Sequence, residues 1–183
     1  MQIEYSQTLP YPREKVWETL LDPAVLARVL PGVEKFEPFG PDKYAVQVKL
    51  GVPSVKGTYT GKVEIVDKQP PSSYRLRGEG KGTPGWARGE ALMTLVADGN
   101  GTTVSAKANA VIGGTIAGVG QRMMEGIAKA MAREFFASID RELQGRKQKA
   151  GVFMFVLRVL WAMIRNLWAR LFGTRAGNQA SGS

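Results

Sequence analysis

The chain has 183 residues, 25 Lys and Arg against 16 Asp and Glu, 44% hydrophobic residues, and neither cysteine nor histidine. Thiol nucleophiles, disulfides, Cys/His zinc sites and histidine triads are excluded, and the usual near-neutral proton shuttle is missing, so the composition points to binding rather than catalysis. Residues 1–140 carry 17 basic and 15 acidic side chains while 141–183 carry 8 and 1, so the positive excess belongs to the tail and nucleic acid is not the expected partner.

The first residues, Met1 to Ser6, lack the basic start and apolar run of a secretory signal, which predicts a cytoplasmic domain. Residues 2–8 read as a short strand. Val16, Trp17, Leu20 and Leu21 have helical spacing, and Asp22-Pro23 opens a second short helix through Leu30, stopped by Pro31-Gly32. From Val33 to Ile112 the period becomes two, predicting strands near 33–38, 43–50, 56–67, 73–80, 86–97 and 102–112. Gly80-Lys81-Gly82-Thr83-Pro84-Gly85 fits GxGxxG, but a strand follows it instead of a helix, so it reads as a turn and not as a dinucleotide site. Residues 115–144 have the three-or-four spacing of one long helix. The order describes an α+β fold in which a curved antiparallel sheet wraps around a long C-terminal helix, over residues 1–145.

Alternation on the later strands assigns Arg75, Arg77, Glu79, Arg88 and Glu90 outward, as a solvated face with cross-strand pairs. It leaves Leu76, Gly78, Gly89, Ala91, Met93, Ala106, Ala108 and Ala110 inward, where a solid core would carry larger side chains. Gly114, Gly118 and Gly120 predict close helix approach at one end of the interior. Beyond them Met123, Met124, Ile127 and Met131 supply a flexible helical lining, and Tyr44 and Tyr59 supply hydroxyls for a ligand carbonyl. These residues are the expected ligand-binding set; ordinary packing is the competing explanation. No catalytic residue and no metal ligand is expected.

Residues 146–150 read as a basic hinge, 151–172 as an amphipathic helix and 173–183 as a disordered tail. Phe153, Leu157, Leu160, Trp161, Ile164, Leu167, Trp168 and Leu171 share one side of that helix, and Arg158, Arg165 and Arg170 share the other. Its apolar stretch 152–172, 21 residues and about 32 Å long as a helix, is long enough to span a bilayer, but each arginine at the centre costs about 2.5–3.5 kcal/mol. Lying flat on anionic lipid carries no such cost, so a peripheral helix on the cytoplasmic face of the cell membrane is the expectation. Spanning, a partner helix, or packing on its own domain remain alternatives.

Val16-Trp17, Asp22-Pro23, Leu30-Pro31-Gly32, Gly57 and Gly61, the Gly78/Gly80/Gly85/Gly89 series and Gly113-Gly114-Thr115-Ile116-Ala117 occur in an order that resembles the CoxG family, named for the G subunit of carbon monoxide dehydrogenase, within the START-like (SRPBCC) helix-grip superfamily. The resemblance covers about residues 2–145. It implies a non-catalytic, membrane-associated partner of molybdenum CO dehydrogenase or a related molybdenum hydroxylase. The implied cargo is a respiratory quinone, menaquinone or ubiquinone, carried in an apolar cavity without any covalent cofactor. A ligand-free anchor for the dehydrogenase and a START-like polyketide cyclase or lipid carrier are the alternative roles.

Overall fold

Alternating apolar and polar residues, cut by short Gly-, Pro- and Asp-containing turns, build most of this chain into one meander. The structure is a computed structural model, and it describes residues 1–145. Seven strands, β1 (Gln2–Leu9), β2 (Val33–Gly40), β3 (Lys43–Leu50), β4 (Gly57–Gln69), β5 (Ser73–Gly82), β6 (Gly85–Asp98) and β7 (Gly101–Gly114), form one sheet in the order β1-β7-β6-β5-β4-β3-β2. Every neighbouring pair is antiparallel. Helices α1 (Arg13–Leu21) and α2 (Pro23–Val29) connect β1 to β2, and α3 spans residues 121–145.

The helical connection is punctuated by its sequence. Asp22 accepts bonds from the Ala24 and Val25 amides at 2.9 and 3.3 Å, capping α2, while Pro23 occupies the first turn, where no amide is missed. Gly32 then turns the chain into β2 with φ +74°, and a β-carbon there would press on the Lys49 carbonyl. The core gathers where α1 and the second half of α3 meet the sheet: Leu9, Val16, Leu20, Leu95, Val104, Ile139 and Leu143 are almost fully enclosed. Thr102, also buried, donates to the Tyr11 carbonyl at 2.7 Å and so ties β7 to the entry of α1.

The GxGxxG segment is the β5–β6 hairpin, with Gly82 paired to Gly85 and Thr83-Pro84 at its tip. The long helix starts later than its periodicity predicts. Residues Thr115–Val119 form a short 3-10 turn, bracketed by Gly114 (φ +83°) and Gly120 (φ +89°). Two bonds to the Pro84 carbonyl, from the Ile116 amide at 3.0 Å and Thr115 Oγ1 at 2.6 Å, hold this turn on the hairpin. The expected helix approach at Gly114, Gly118 and Gly120 is likewise corrected. Gly118 and Gly120 face open space, and Gly114 sits against the hairpin backbone at Pro84 and Gly85.

The inward glycines also differ among themselves. A β-carbon at Gly61 would strike the Glu79 carbonyl, and one at Gly89 the Asn109 carbonyl, so these two let adjacent strands crowd together as the sheet curves. At Gly78 it would find only ordinary contacts of 3.7 and 3.8 Å. Gly61→Val is therefore expected to lower stability by about 3 kcal/mol or more, and Gly78→Ala to leave it unchanged or raise it by up to about 1 kcal/mol. Urea unfolding of the two variants measures both.

Candidate functional site: an apolar cavity beneath the long helix

On β2–β6 one side of the pleat is apolar in register. Phe36, Tyr44, Val46, Val48, Val63, Ile65, Tyr74, Leu76, Ala91 and Met93 all turn from solvent toward α3, and Ala106 continues the row on β7. Between this face and the helix lies a cavity of about 400 Å³. Leu20 and Leu26 close it from α1 and α2, Leu30, Pro31 and Val33 from the entry to β2, and Met131, Ala132, Phe135 and Phe136 from α3. The volume falls within the roughly 300–1,000 Å³ of small-molecule sites. Larger grooves of about 720 and 600 Å³ cross the outer sheet face, but they are open and bordered by charged residues such as Lys62, Arg77, Glu79 and Arg88.

Side-chain volume explains where the cavity falls. Ala91 and Ala106 lie near Met93 on β6 and β7 and face Ala132, so neither wall fills the space. Aromatic side chains hold its edges apart: Phe36 stacks on Tyr44 with ring centres 4.6 Å apart, and Trp17 meets Tyr74 edge-on at 5.5 Å.

Tyr44 and Tyr74 are the lining residues that carry a polar side-chain group, and neither hydroxyl has a hydrogen-bond partner among the described residues. Burial pushes both phenols above their usual range; at Tyr44 the nearby Asp42 carboxylate adds to the effect. Both are therefore neutral hydroxyls at physiological pH, able to donate one bond and to accept others.

Of the residues expected to line a ligand site, Tyr44, Leu76, Ala91, Met93, Ala106 and Met131 meet at this cavity. The others lie elsewhere. Tyr59 is on the inner side of β4, but its hydroxyl is committed to the Val55 carbonyl at 2.8 Å. Gly78, Gly89 and Ala110 border the outer groove, and Ala108, paired with Ile3 and with the cavity residue Ala91, does not itself line the cavity. Met124 and Ala110 flank a separate crevice beside Met1, Met123 is 52% exposed, and Ile127 is half-buried outside the cavity. α3 begins after Gly120, and its first turn lines that separate crevice with Gln121 and Met124, whereas Met131, Ala132, Phe135 and Phe136 line the cavity.

Apart from Tyr44, sequence reasoning missed the contributions of β2, β3 and β4 and of the α2–β2 junction, although Val46/Val48 and Val63/Ile65 alternate as clearly as the later strands. Tyr74 is recognisable in the sequence as inward-facing, but its free hydroxyl is not. The charged rows on the outer face are the cross-strand pairs the alternation predicts, with Lys43–Glu64 at 3.2 Å and Arg75 bridging Asp67 and Glu90 at 3.3 and 3.1 Å. The proposed hinge at 146–150, the amphipathic helix with Phe153 to Leu171, and the tail lie outside the described residues. Among the described residues no helix is long and apolar enough to cross a membrane.

Comparison with known proteins agrees with this geometry. A conserved protein from Geobacillus kaustophilus is 33% identical, with 79% of this chain and 96% of that one covered and a TM-score of 0.77. The ZhuI aromatase/cyclase from Streptomyces sp. R1128 is 18% identical over 82% and 98% of the two chains, with a TM-score of 0.63. A START superfamily protein from Mycobacterium smegmatis is 8% identical over 79% and 97%, also with a TM-score of 0.63. At these last two identities the likeness shows the helix-grip fold alone. No curated protein matches. The family model for CoxG, the G subunit of carbon monoxide dehydrogenase, matches residues 6–144, and the chain belongs to that family.

Proposed function

We propose that this chain is a non-catalytic accessory protein of molybdenum CO dehydrogenase, or of a related molybdenum hydroxylase, that takes a respiratory quinone from the membrane into its cavity and presents it to the enzyme. Family membership and the START-like fold support an accessory or lipid-binding role. The observation that carries the finer reading is the pairing of a continuous apolar wall with two unpartnered phenols.

Each methylene drawn from water into such a site contributes about 0.8 kcal/mol, which suits an isoprenoid chain. A quinone ring brings carbonyls that need donors once they leave water, and an unpaired buried carbonyl costs about 1–3 kcal/mol. Reduction converts those carbonyls to hydroxyls, which need acceptors. A neutral tyrosine hydroxyl serves both states, since it donates to the quinone and accepts from the quinol. The wall offers no carboxylate or amine to transfer protons to a bound polyketide, which weighs against a cyclase. A tether without cargo leaves the cavity unexplained.

Mass spectrometry of protein purified from membranes is expected to find a co-extracted quinone; protein that holds none after exposure to quinone-containing vesicles overturns the carrier reading. Ala106→Leu puts a larger side chain into the hollow and is expected to abolish quinone retention while leaving vesicle attachment intact. Tyr44→Phe and Tyr74→Phe, each losing one hydrogen bond, should weaken quinone binding about three- to tenfold with little effect on melting of the empty protein. Equal affinity in both would assign the ring no contact with either phenol. Deleting residues 151–183 is expected to reduce flotation with anionic vesicles about tenfold or more; unchanged flotation rejects the tail as the main anchor.

A further inference from the structure

The two ends of the meander differ in charge. At one end stand three aspartates, Asp42 in the β2–β3 turn, Asp67 near the end of β4 and Asp98 at the end of β6. At the other end lie the β3–β4 connection, the β5–β6 hairpin and the β7–α3 junction, and the stretches that form them, residues 47–60, 80–88 and 109–124, contain no acidic residue. The cations Lys56, Lys81 and Arg122 stand in these stretches, and none has a carboxylate partner among the described residues.

This acid-poor end is one continuous surface. The Pro84 carbonyl of the hairpin receives the bonds from Thr115 and Ile116, and the Pro84 ring lies beside Gly57. The Gly32 carbonyl accepts from the Lys49 amide at 2.8 Å, which brings the α2–β2 junction to the same end. Glu34, just beyond that junction, is countered by Lys49 at 3.9 Å and accepts from Gln47 at 2.8 Å. Val52, 41% exposed, and Met123, 52% exposed, stand at this end; Phe39 and Val96 are as exposed on the outer face, but they are within three residues of Asp42 and Asp98. The cavity reaches toward this end as well, since Leu30, Pro31, Val33 and Val48 line it.

We infer that this end of the folded domain docks on an anionic lipid surface, with Val52 and Met123 entering the acyl boundary and Lys56, Lys81 and Arg122 at the phosphates. Exposed apolar side chains at the same end as cations without carboxylate partners, with few acids to repel the headgroups, are what a peripheral lipid site requires. A nucleic acid would meet the same cations but would leave the aliphatic tips in water. The inference deepens the carrier reading and rests on it for its purpose: the cargo would enter from the bilayer on the side of the cavity lined by Leu30, Pro31, Val33 and Val48, independently of the tail.

The absence of cysteine allows a direct test in the full chain. Val52→Cys and Met123→Cys, each labelled with the fluorophore NBD, are mixed with vesicles of phosphatidylcholine and phosphatidylglycerol. Val96→Cys, whose site is 60% exposed on the outer face two residues from Asp98, is the control. The expected result is brightened, blue-shifted emission at positions 52 and 123, quenched by lipids spin-labelled on the acyl chain, with no change at 96 and a smaller change with phosphatidylcholine alone. Flotation of the protein with silent probes at 52 and 123 overturns this docking and leaves the carrier reading standing. A probe at 96 that inserts equally overturns the end-specific arrangement, and a response only to added dehydrogenase assigns this end to a protein partner instead. Failure to float at all overturns both membrane readings.

Discussion

Along α3 the side chains that meet the sheet change in how fully they fill the space beneath the helix, and this gradient decides what the rest of the domain can do. In the second half Phe136, Ile139 and Leu143 pack against Leu9, Leu95 and Val104, and almost no surface is left. One to two turns earlier the helix offers Met131 and Ala132, and the sheet opposes them with Ala91 and Ala106, so backbone separation set by the packed end leaves a void. Native interiors are close-packed, and a void persists only where its walls cannot collapse. Here the walls are held by aromatic contacts: Trp17 on Tyr74, Phe36 on Tyr44, and Phe135 on Phe136 at 5.2 Å. The packed half of α3 therefore acts as a strut, and the hollow half inherits its spacing.

The outer face follows a different constraint. It must stay wet, and it does so with cross-strand pairs such as Lys43–Glu64 and Arg75–Glu90. These exposed pairs are worth little in stability. Their use is to make one side of every strand unambiguously polar, so that a one-residue slip would bury charge, which specifies the register on which the inner face depends. Sheet and cavity are thus coupled through alternation, and the aspartates near one set of turns are absent from the other set, toward which Leu30, Pro31, Val33 and Val48 extend the cavity wall.

Much of this was legible in the sequence because strands with one wet face repeat every two residues. All seven strands and both short helices fall where periodicity and the Asp22-Pro23 and Pro31-Gly32 signals put them. The start of α3 was not legible: Ile116 and Val119 keep helical spacing, yet Gly114 and Gly120 lie at positive φ and Pro84, distant in sequence, captures the intervening turn. The cavity was half legible. Small residues at 91 and 106 signalled missing volume, but at Gly61 and Gly89 the same signal reflects crowding between strands. Residue size alone does not separate a hollow from a tight bend; the identity of the nearest atom does, and that depends on curvature that no local pattern encodes.

The same distinction bears on how a cargo would be held. A cavity walled by stiff rings is preorganised, so a flat ring entering it forfeits little protein entropy, and the binding free energy goes into affinity. Met93 and Met131, with several rotatable bonds, complete the wall and can adjust to a chain of variable shape. For the proposed quinone, rigid rings and phenols at some positions and yielding thioethers at others would combine an exacting fit to a planar, carbonyl-bearing head with a permissive one to its apolar extension. Because the void costs stability when empty, a molecule that fills it also raises the stability of the fold by mass action. Occupancy and folding are then linked, and the loaded protein is the form in which the two halves of α3 are equally well packed.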